Sequence, residues 1–344
     1  MKPLVATVTL NPALDRTVAV DRLTVGGTNR VASVRVDPGG KGLNVARVVR
    51  RLGLGAVALG FVGEENSHIF HRVLASEAVE DRLVEVPGET RTNLKIVDRH
   101  TGTETEINDA GFHVPAKYLE QLLAGLDAIL ERCGALVVTG SLPPGVPAEF
   151  YARLISRANE AGVLTVLDAA GEALLRGIEA GPRVVKPNRA ELEEVTGERL
   201  PDLEAVHRAA TALRTAGAGC VLASLGSEGA LLVTPEGSWY GRAQPVAAGS
   251  TTGAGDSMVA ATVYGLLSGR APRDILRLAV AAGAATAALP GTQLCTADGI
   301  EAMQATVTVW AFRALTTGRI DGRVPPGSPS RRDMDPAVPE GDTE

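Results

Sequence analysis

Three short apolar runs, 135–139 (ALVVT), 163–167 (VLTVL) and 220–224 (CVLAS), each follow a segment whose apolar residues recur at steps of three and four. The first of those segments, 118–132, puts Leu119, Leu122, Leu123, Leu126 and Leu130 on one stripe, and 147–161 and 203–216 repeat the pattern. A strand that is apolar on both faces has to be covered on both, and helices between successive strands make the crossovers that a parallel sheet needs. The chain is therefore expected to be α/β, with helices on both sides of a parallel sheet. Val184 and Val185 predict a further strand end, and 274–289, rich in Ala and Leu, a further helix.

The first third reads differently. Segments 7–10, 17–20, 31–36 and 93–97 alternate or carry β-branched residues between hydrophilic turns, and 91–109 has the form of a hairpin about 99–102. The pattern predicts a small exposed sheet standing off the α/β body, over about 12–37 and 88–112. The body is expected to run to about residue 317. Beyond it, 318–344 mixes Pro, Gly and scattered charge, cannot bury a core, and is expected to be a disordered tail.

Composition removes several classes of function. Three widely separated cysteines and five scattered histidines fit neither a disulfide scaffold nor a structural zinc site. A net charge of −6 with 3% aromatic residues lacks the basic stripes and stacking platforms of a nucleic-acid binder. No run approaches the roughly 18 apolar residues of a membrane span, and the N-terminus has no signal-peptide pattern, so a cytoplasmic protein is expected. His68 and His71 share a helix face without a third ligand and read as an exposed pair.

Five loops carry ligand chemistry. In GSTTGAGDS (249–257), glycines precede a helical stretch, where backbone N–H groups and the helix dipole make an anion site. Asp256 inside such a site could take a proton from a hydroxyl while the amides hold charge building on a transferring phosphoryl; its plainer reading is a helix N-cap. In GGKGLNVA (39–46), a glycine turn with Asn44 at a helix start could meet sugar hydroxyls, or be only a turn. It fits neither the phosphate-binding G-x4-G-K-[ST] spacing nor a dinucleotide fingerprint. GSLPPG (140–145) follows a buried strand, where ligands of open α/β sheets bind, and could equally be a stiff turn. Asn188 and Glu191 place two oxygen-bearing side chains on one helical face, suited to Mg²⁺ through water or to a helix cap. SLGSEG (224–229) again follows a strand and could admit an adenine or ribose.

Taken together, TLNPALD, GGKGLNVARVVRRLG, GSLPPGV, KPNRAEL, SLGSEGAL and STTGAGDSMVAA resemble the ribokinase-like PfkB carbohydrate kinases, from about Val5 to about Met303. The opening TLNP…D is typical of their hexose-phosphate group. The resemblance implies a three-layer α/β/α sandwich with a small β-sheet lid, a homodimer formed through that lid, and transfer of the ATP γ-phosphate to a sugar hydroxyl with Mg²⁺. It implies Asp256 as catalytic base, and Gly253, Ala254 and Gly255 as the anion hole. Asp15, Gly39, Gly40, Lys41 and Asn44 would hold the sugar, Arg91 and Ser141 the phosphate already attached to it, and Arg30 would be a further substrate-binding residue. Lys186, Asn188, Ser224, Gly226, Gly229 and Thr251 would line the nucleotide side, and Asn188 with Glu191 would serve the magnesium ion.

EINDAGF (106–112) and KPNRAEL resemble kinases of fructose 1-phosphate, the expected acceptor, with fructose 1,6-bisphosphate as product. Arg30 and the GTQLC run (291–295) resemble kinases of 6-phosphates, so fructose 6-phosphate and tagatose 6-phosphate are the alternatives. A nucleoside kinase would have no use for Arg91. A non-catalytic sugar-phosphate sensor on the same fold would have no use for Asp256.

Overall fold

A computed structural model describes residues 3–245 and 249–313; the expected tail at 318–344 lies outside the described residues. The chain opens with β1 (Leu4–Thr9), β2 (Ala13–Val20) and β3 (Val31–Gly39), then α1 (Lys41–Arg51), β4 (Gly55–Gly63), α2 (Ser67–Ser76), β5 (Glu80–Val86), β6 (Thr92–Asp98) and β7 (Glu104–Ile107). Regular alternation follows: α3 (Ala116–Leu130), β8 (Cys133–Thr139), α4 (Phe150–Glu160), β9 (Leu164–Asp168), α5 (Gly171–Glu179), β10 (Val184–Val185), α6 (Arg189–Thr196), α7 (Leu203–Thr215) and β11 (Cys220–Ser224). The described chain ends with β12 (Ala230–Thr234), β13 (Gly237–Arg242), α8 (Ala254–Leu267), α9 (Pro272–Ala287), α10 (Ala297–Gln304) and β14 (Thr308–Phe312).

Among the described residues, ten strands form one sheet in the order β14-β13-β12-β11-β10-β9-β8-β1-β4-β5. The seven from β11 to β5 run parallel, and β12, β13 and β14 continue the edge antiparallel. Successive side chains of a strand face opposite ways, and β8 shows the consequence. Leu136 and Val138 join a core with Leu122 of α3, Leu154 of α4 and Val206 of α7. Ala135 and Val137 join a second core with Val45 of α1, Ala260 of α8 and Leu278 of α9. Two cores on opposite faces of one sheet make a three-layer α/β/α sandwich, as the resemblance implies.

The second sheet has four strands in the order β3-β2-β6-β7, with β6 and β7 forming the hairpin expected at 91–109. Segment 7–10, expected among the exposed strands, instead falls on β1, which pairs with both β4 and β8 inside the large sheet, two strands from its β5 edge. Its alternation misled because Thr7 and Thr9 are themselves buried, between apolar neighbours that are buried too.

Parallel strands bring their carboxyl ends to one edge of a sheet. The loops after β1, β8, β9, β10 and β11 therefore converge there, and the small sheet stands beside them.

Candidate active site

At that edge lies a cleft of about 1050 Å³, lined from both sheets and from the α8 and α9 ends. Asp256 is buried in it, in the first turn of α8. Its Oδ2 accepts a hydrogen bond of 2.8 Å from Asn44 Nδ2 of α1. Burial pushes its carboxyl up to about 6, helped by the negative charge of Asp168 and opposed by the Asn44 bond, Lys41 and Lys186. The N-cap reading fails: Gly253 occupies that position at φ 78°, and Asp256 lies three residues further in. A Cβ on Gly253 would be strained at that φ and would meet Leu294 Cδ2 at 2.6 Å, so the cradle of Gly253, Ala254 and Gly255 requires its first glycine.

Asp168 ends β9 and is only 1% exposed. Its Oδ1 is 3.1 Å from Lys186 Nζ, its Oδ2 is 3.5 Å from Lys41 Nζ, and Oδ2 also accepts from Thr139 Oγ1 at 3.2 Å. Burial works to raise its pKa, but the two ammonium groups outweigh it and hold the carboxyl below its ordinary value. Lys41 shows the converse balance: burial lowers it, and Asp168, Asp256 and Glu191 raise it further. Lys186 also reaches the cradle, since a Cβ on Gly255 would lie 3.5 Å from its Nζ.

The small sheet forms the opposite wall. Asp15 of β2 is in register with Asp37 of β3 and Asn93 of β6, and its Oδ1 accepts from Asn93 Nδ2 at 3.0 Å. Burial raises the Asp15 carboxyl, and Asn93 and Arg91 partly offset it. Gly39 lets the backbone of β3 pass here, because a Cβ would lie 2.1 Å from Asp15 Oδ2. Arg91 lines the cleft while donating to the carbonyls of Asn11, Pro12 and Asp109. Asn11 Nδ2 donates to Ser141 Oγ at 3.1 Å, which joins the first strand's loop to the GSLPPG loop.

On the other side of the cradle, Lys186, Asn188, Ser224, Gly226, Gly229 and Thr251 all line the cleft. Asn188 and Glu191 form the reciprocal cap that their spacing allowed: Asn188 Oδ1 accepts from Glu191 N at 2.9 Å, and Glu191 Oε2 from Asn188 N at 2.8 Å. Asn188 reaches the cleft and Glu191 is not among its lining residues.

Of the expected site residues, Gly39, Glu191 and Arg30 do not line the cleft; Gly39 still lies against Asp15 and Glu191 against Asn188, whereas the structure does not bring in Arg30. It is exposed at the foot of β3, beside the Val20–Val31 pair. At roughly 3.3 Å per residue of strand, that end of β2 is about 17 Å beyond Asp15. Sequence reasoning missed Asp168, Asn93, Arg242, Gln244 and Ala284, which line the cleft as well. A lone acid closing the apolar run VLTVLD was a usable signal for Asp168. The last three come from β13, the segment after it and α9, where no local motif marks them. Among the described residues, no group of three or more His, Cys, Asp or Glu is gathered as for a metal ion, and no helix is long and apolar enough to cross a membrane.

Known proteins resemble the chain over most of its length. The chain is 36% identical over 312 residues to the 1-phosphofructokinase of Escherichia coli, covering 91% of this chain and all of that one. It is 40% identical over 265 residues to the 1-phosphofructokinase of Xanthomonas campestris, covering 76% of this chain and 83% of that one. The crystal structure of phosphofructokinase-2 from Escherichia coli in complex with potassium superposes with a TM-score of 0.82 at 34% identity, over 89% of this chain and 99% of that one. The family model of pfkB family carbohydrate kinases matches residues 8–298, which include both glycine loops, Asp168 and Asp256: the chain belongs to the pfkB family of carbohydrate kinases.

Proposed function

We propose that this kinase transfers the γ-phosphoryl group of ATP to the 6-hydroxyl of fructose 1-phosphate, giving fructose 1,6-bisphosphate and ADP. One observation carries the reading: a buried carboxylate, Asp256, is fixed by Asn44 beside a glycine cradle that Lys186 reaches, with the charge of Lys41 also acting on it. Asp256 takes the hydroxyl proton as the sugar oxygen attacks the γ-phosphorus and the bond to the β-phosphate oxygen breaks. The amides of Gly253, Ala254 and Gly255 and the ammonium groups of Lys41 and Lys186 hold the charge that spreads over the transferring oxygens. Positioning and charge stabilisation account for most of the catalysis in phosphoryl transfer, so a site with no covalent nucleophile suffices. Asp15, Gly40 and Asn44 hold the sugar. Arg91, with two of its five N–H donors beyond the three carbonyls it meets, and Ser141 hold the 1-phosphate. The small sheet over the sugar keeps water from the γ-phosphate.

The nucleotide lies along Lys186, Asn188, Ser224, Gly226, Gly229 and Thr251. The oxygen side chains of Asn188 and Glu191 suit a hard cation. One Glu191 oxygen is committed to the Asn188 backbone, so the pair would hold Mg²⁺ through water beside the nucleotide. Such an ion neutralises phosphate charge when bound. The relatives named 1-phosphofructokinase support the choice of acceptor, and the exposed apolar back of the small sheet supports a homodimer. Rates with ATP and fructose 1-phosphate, fructose 6-phosphate or tagatose 6-phosphate, read by ADP release, test the reading. Fructose 1-phosphate should have the highest kcat/KM. A preference for either 6-phosphate would overturn the acceptor, and no ADP release with any of them would overturn the kinase reading.

A further inference from the structure

Arg35 lies on β3, two residues before Asp37, on the same face of the small sheet as Asp15 and Asn93. Its Nε is 2.7 Å from Asp37 Oδ2, and its Nη2 donates to Thr292 Oγ1 at 2.8 Å, a contact across 257 residues of sequence. Thr292 belongs to the loop 288–296 between α9 and α10. Next to it, Gly291 has φ 63°, and a Cβ there would lie 2.5 Å from Arg35 Nη1, so the loop is shaped to receive the guanidinium.

The far end of the same loop supports the phosphate cradle. Leu294 packs where a Cβ of Gly253 would be, and Cys295 N donates to Thr286 Oγ1 at 3.2 Å, which in turn meets Ser257 Oγ at 2.7 Å. Arg51 pins this end by donating to the carbonyls of Leu294, at 2.6 Å, and Cys295. One short segment thus touches the sheet that carries Asp15 and the turn that opens α8.

We propose that Arg35 is a positioning residue for phosphoryl transfer: through Thr292 it fixes the sugar wall of the cleft relative to the Gly253 cradle. It touches neither substrate. It sets the separation between an acceptor held by Asp15 and a γ-phosphate held by the cradle. This rests on the function proposed above. In-line transfer is sensitive to that separation, since a misplacement of about 1 Å can cost on the order of a hundredfold.

The test is steady-state kinetics with ATP and fructose 1-phosphate on Arg35→Ala, Thr292→Val, the double variant and Thr292→Ser. Either single change should lower kcat about tenfold and leave the KM for ATP within about twofold. The double variant should be no worse than Arg35→Ala, because both remove one contact, and Thr292→Ser, which keeps the hydroxyl, should return kcat to within about twofold of the parent. Arg35 is exposed, so melting temperatures should move by no more than about 2 °C. Three outcomes would overturn the proposal: kcat within twofold in Arg35→Ala, losses that multiply in the double variant, or a rise confined to the KM for fructose 1-phosphate, which would make Arg35 a substrate ligand. If the parent protein releases no ADP with any sugar phosphate, the reading of function fails and this inference falls with it; a parent that turns over normally isolates the failure to Arg35.

Discussion

Asp256 has a charge environment whose members can be removed one at a time. Its carboxyl is pushed up to about 6, first by burial and then by Asp168. A base must be ionised to accept a proton, and at pH 7 a group of pKa about 6 is ionised about tenfold over its acid form. Activity should therefore hold near neutrality and fall about tenfold per pH unit below about 6. Asp168→Asn removes the like charge, so the acid limb of the kcat/KM profile should move to lower pH; a limb that stays in place or moves up would remove Asp168 from the electrostatics of the base. Asp256→Asn keeps an oxygen that can accept from Asn44 Nδ2 and should keep ATP affinity while lowering kcat at least about a thousandfold. Near-normal turnover by that variant would rule the carboxylate out as base.

Whole elements were more legible than the contacts between them. The alternation of α3, β8, α4, β9, α7 and β11 follows directly from apolar periods of 3.6 and from strands apolar on both faces, whereas α5 (Gly171–Glu179) is not foreseen. The strand Leu4–Thr9 was misgrouped because its two threonines imitate the alternation of an exposed strand, although both are buried. Each glycine loop announced its own place on the chain, because tight turns into helices need particular residues. Asp168 drew no attention because its role depends on two lysines, 127 and 18 positions away, that only the fold brings within 3.5 Å of it. His68 and His71 read as an exposed pair, yet His71 joins α2 to the edge strand β5, with Nδ1 2.5 Å from Asp81 Oδ2 and Nε2 2.8 Å from Glu85 Oε1. Burial lowers the imidazole's pKa, but the two carboxylates outweigh it and raise it above 6.5. The folded state then binds the proton more tightly than the unfolded chain, so this stabilisation is fully present below 6.5 and is lost as pH rises through the higher folded value. The melting-temperature gap between the parent and His71→Gln should be about 1–2 °C at pH 6 and close at pH 9, as expected of a partly exposed ion pair. A gap that widens with pH would contradict the charge assignment.

At the scale of the molecule, the small sheet raises a question that one chain does not answer. Its cleft face carries Asp15, Asp37, Asn93 and Arg35. The alternation of its strands puts Val34, Val18 and Ile96 in one row on the other face, and Val36, Leu94 and Ile107 in the next, with the exposed Arg16 between Val36 and Leu94. Val34, Val36 and Ile107 are 48%, 47% and 56% exposed. A sheet face this rich in apolar side chains, even with one arginine among them, is stable when a second layer covers it, and an exposed apolar patch of this kind marks an interface. Such a patch, on a face that already has polar work on its reverse, is covered most simply by its own copy about a two-fold axis, where each row meets its equivalent. Covering it would also stiffen the wall that holds Asp15, which links assembly to catalysis. Val34→Glu with Val36→Glu places like charges opposite one another across that axis. Sedimentation at micromolar concentration should find the parent as a dimer or a larger even assembly and this variant as a monomer. The monomer should keep its affinity for ATP, whose lysines and glycine loops lie on the body, and lose affinity for the sugar phosphate. A variant that stays associated would place the interface elsewhere, and a monomer with unchanged affinity for the sugar phosphate would separate assembly from the sugar wall.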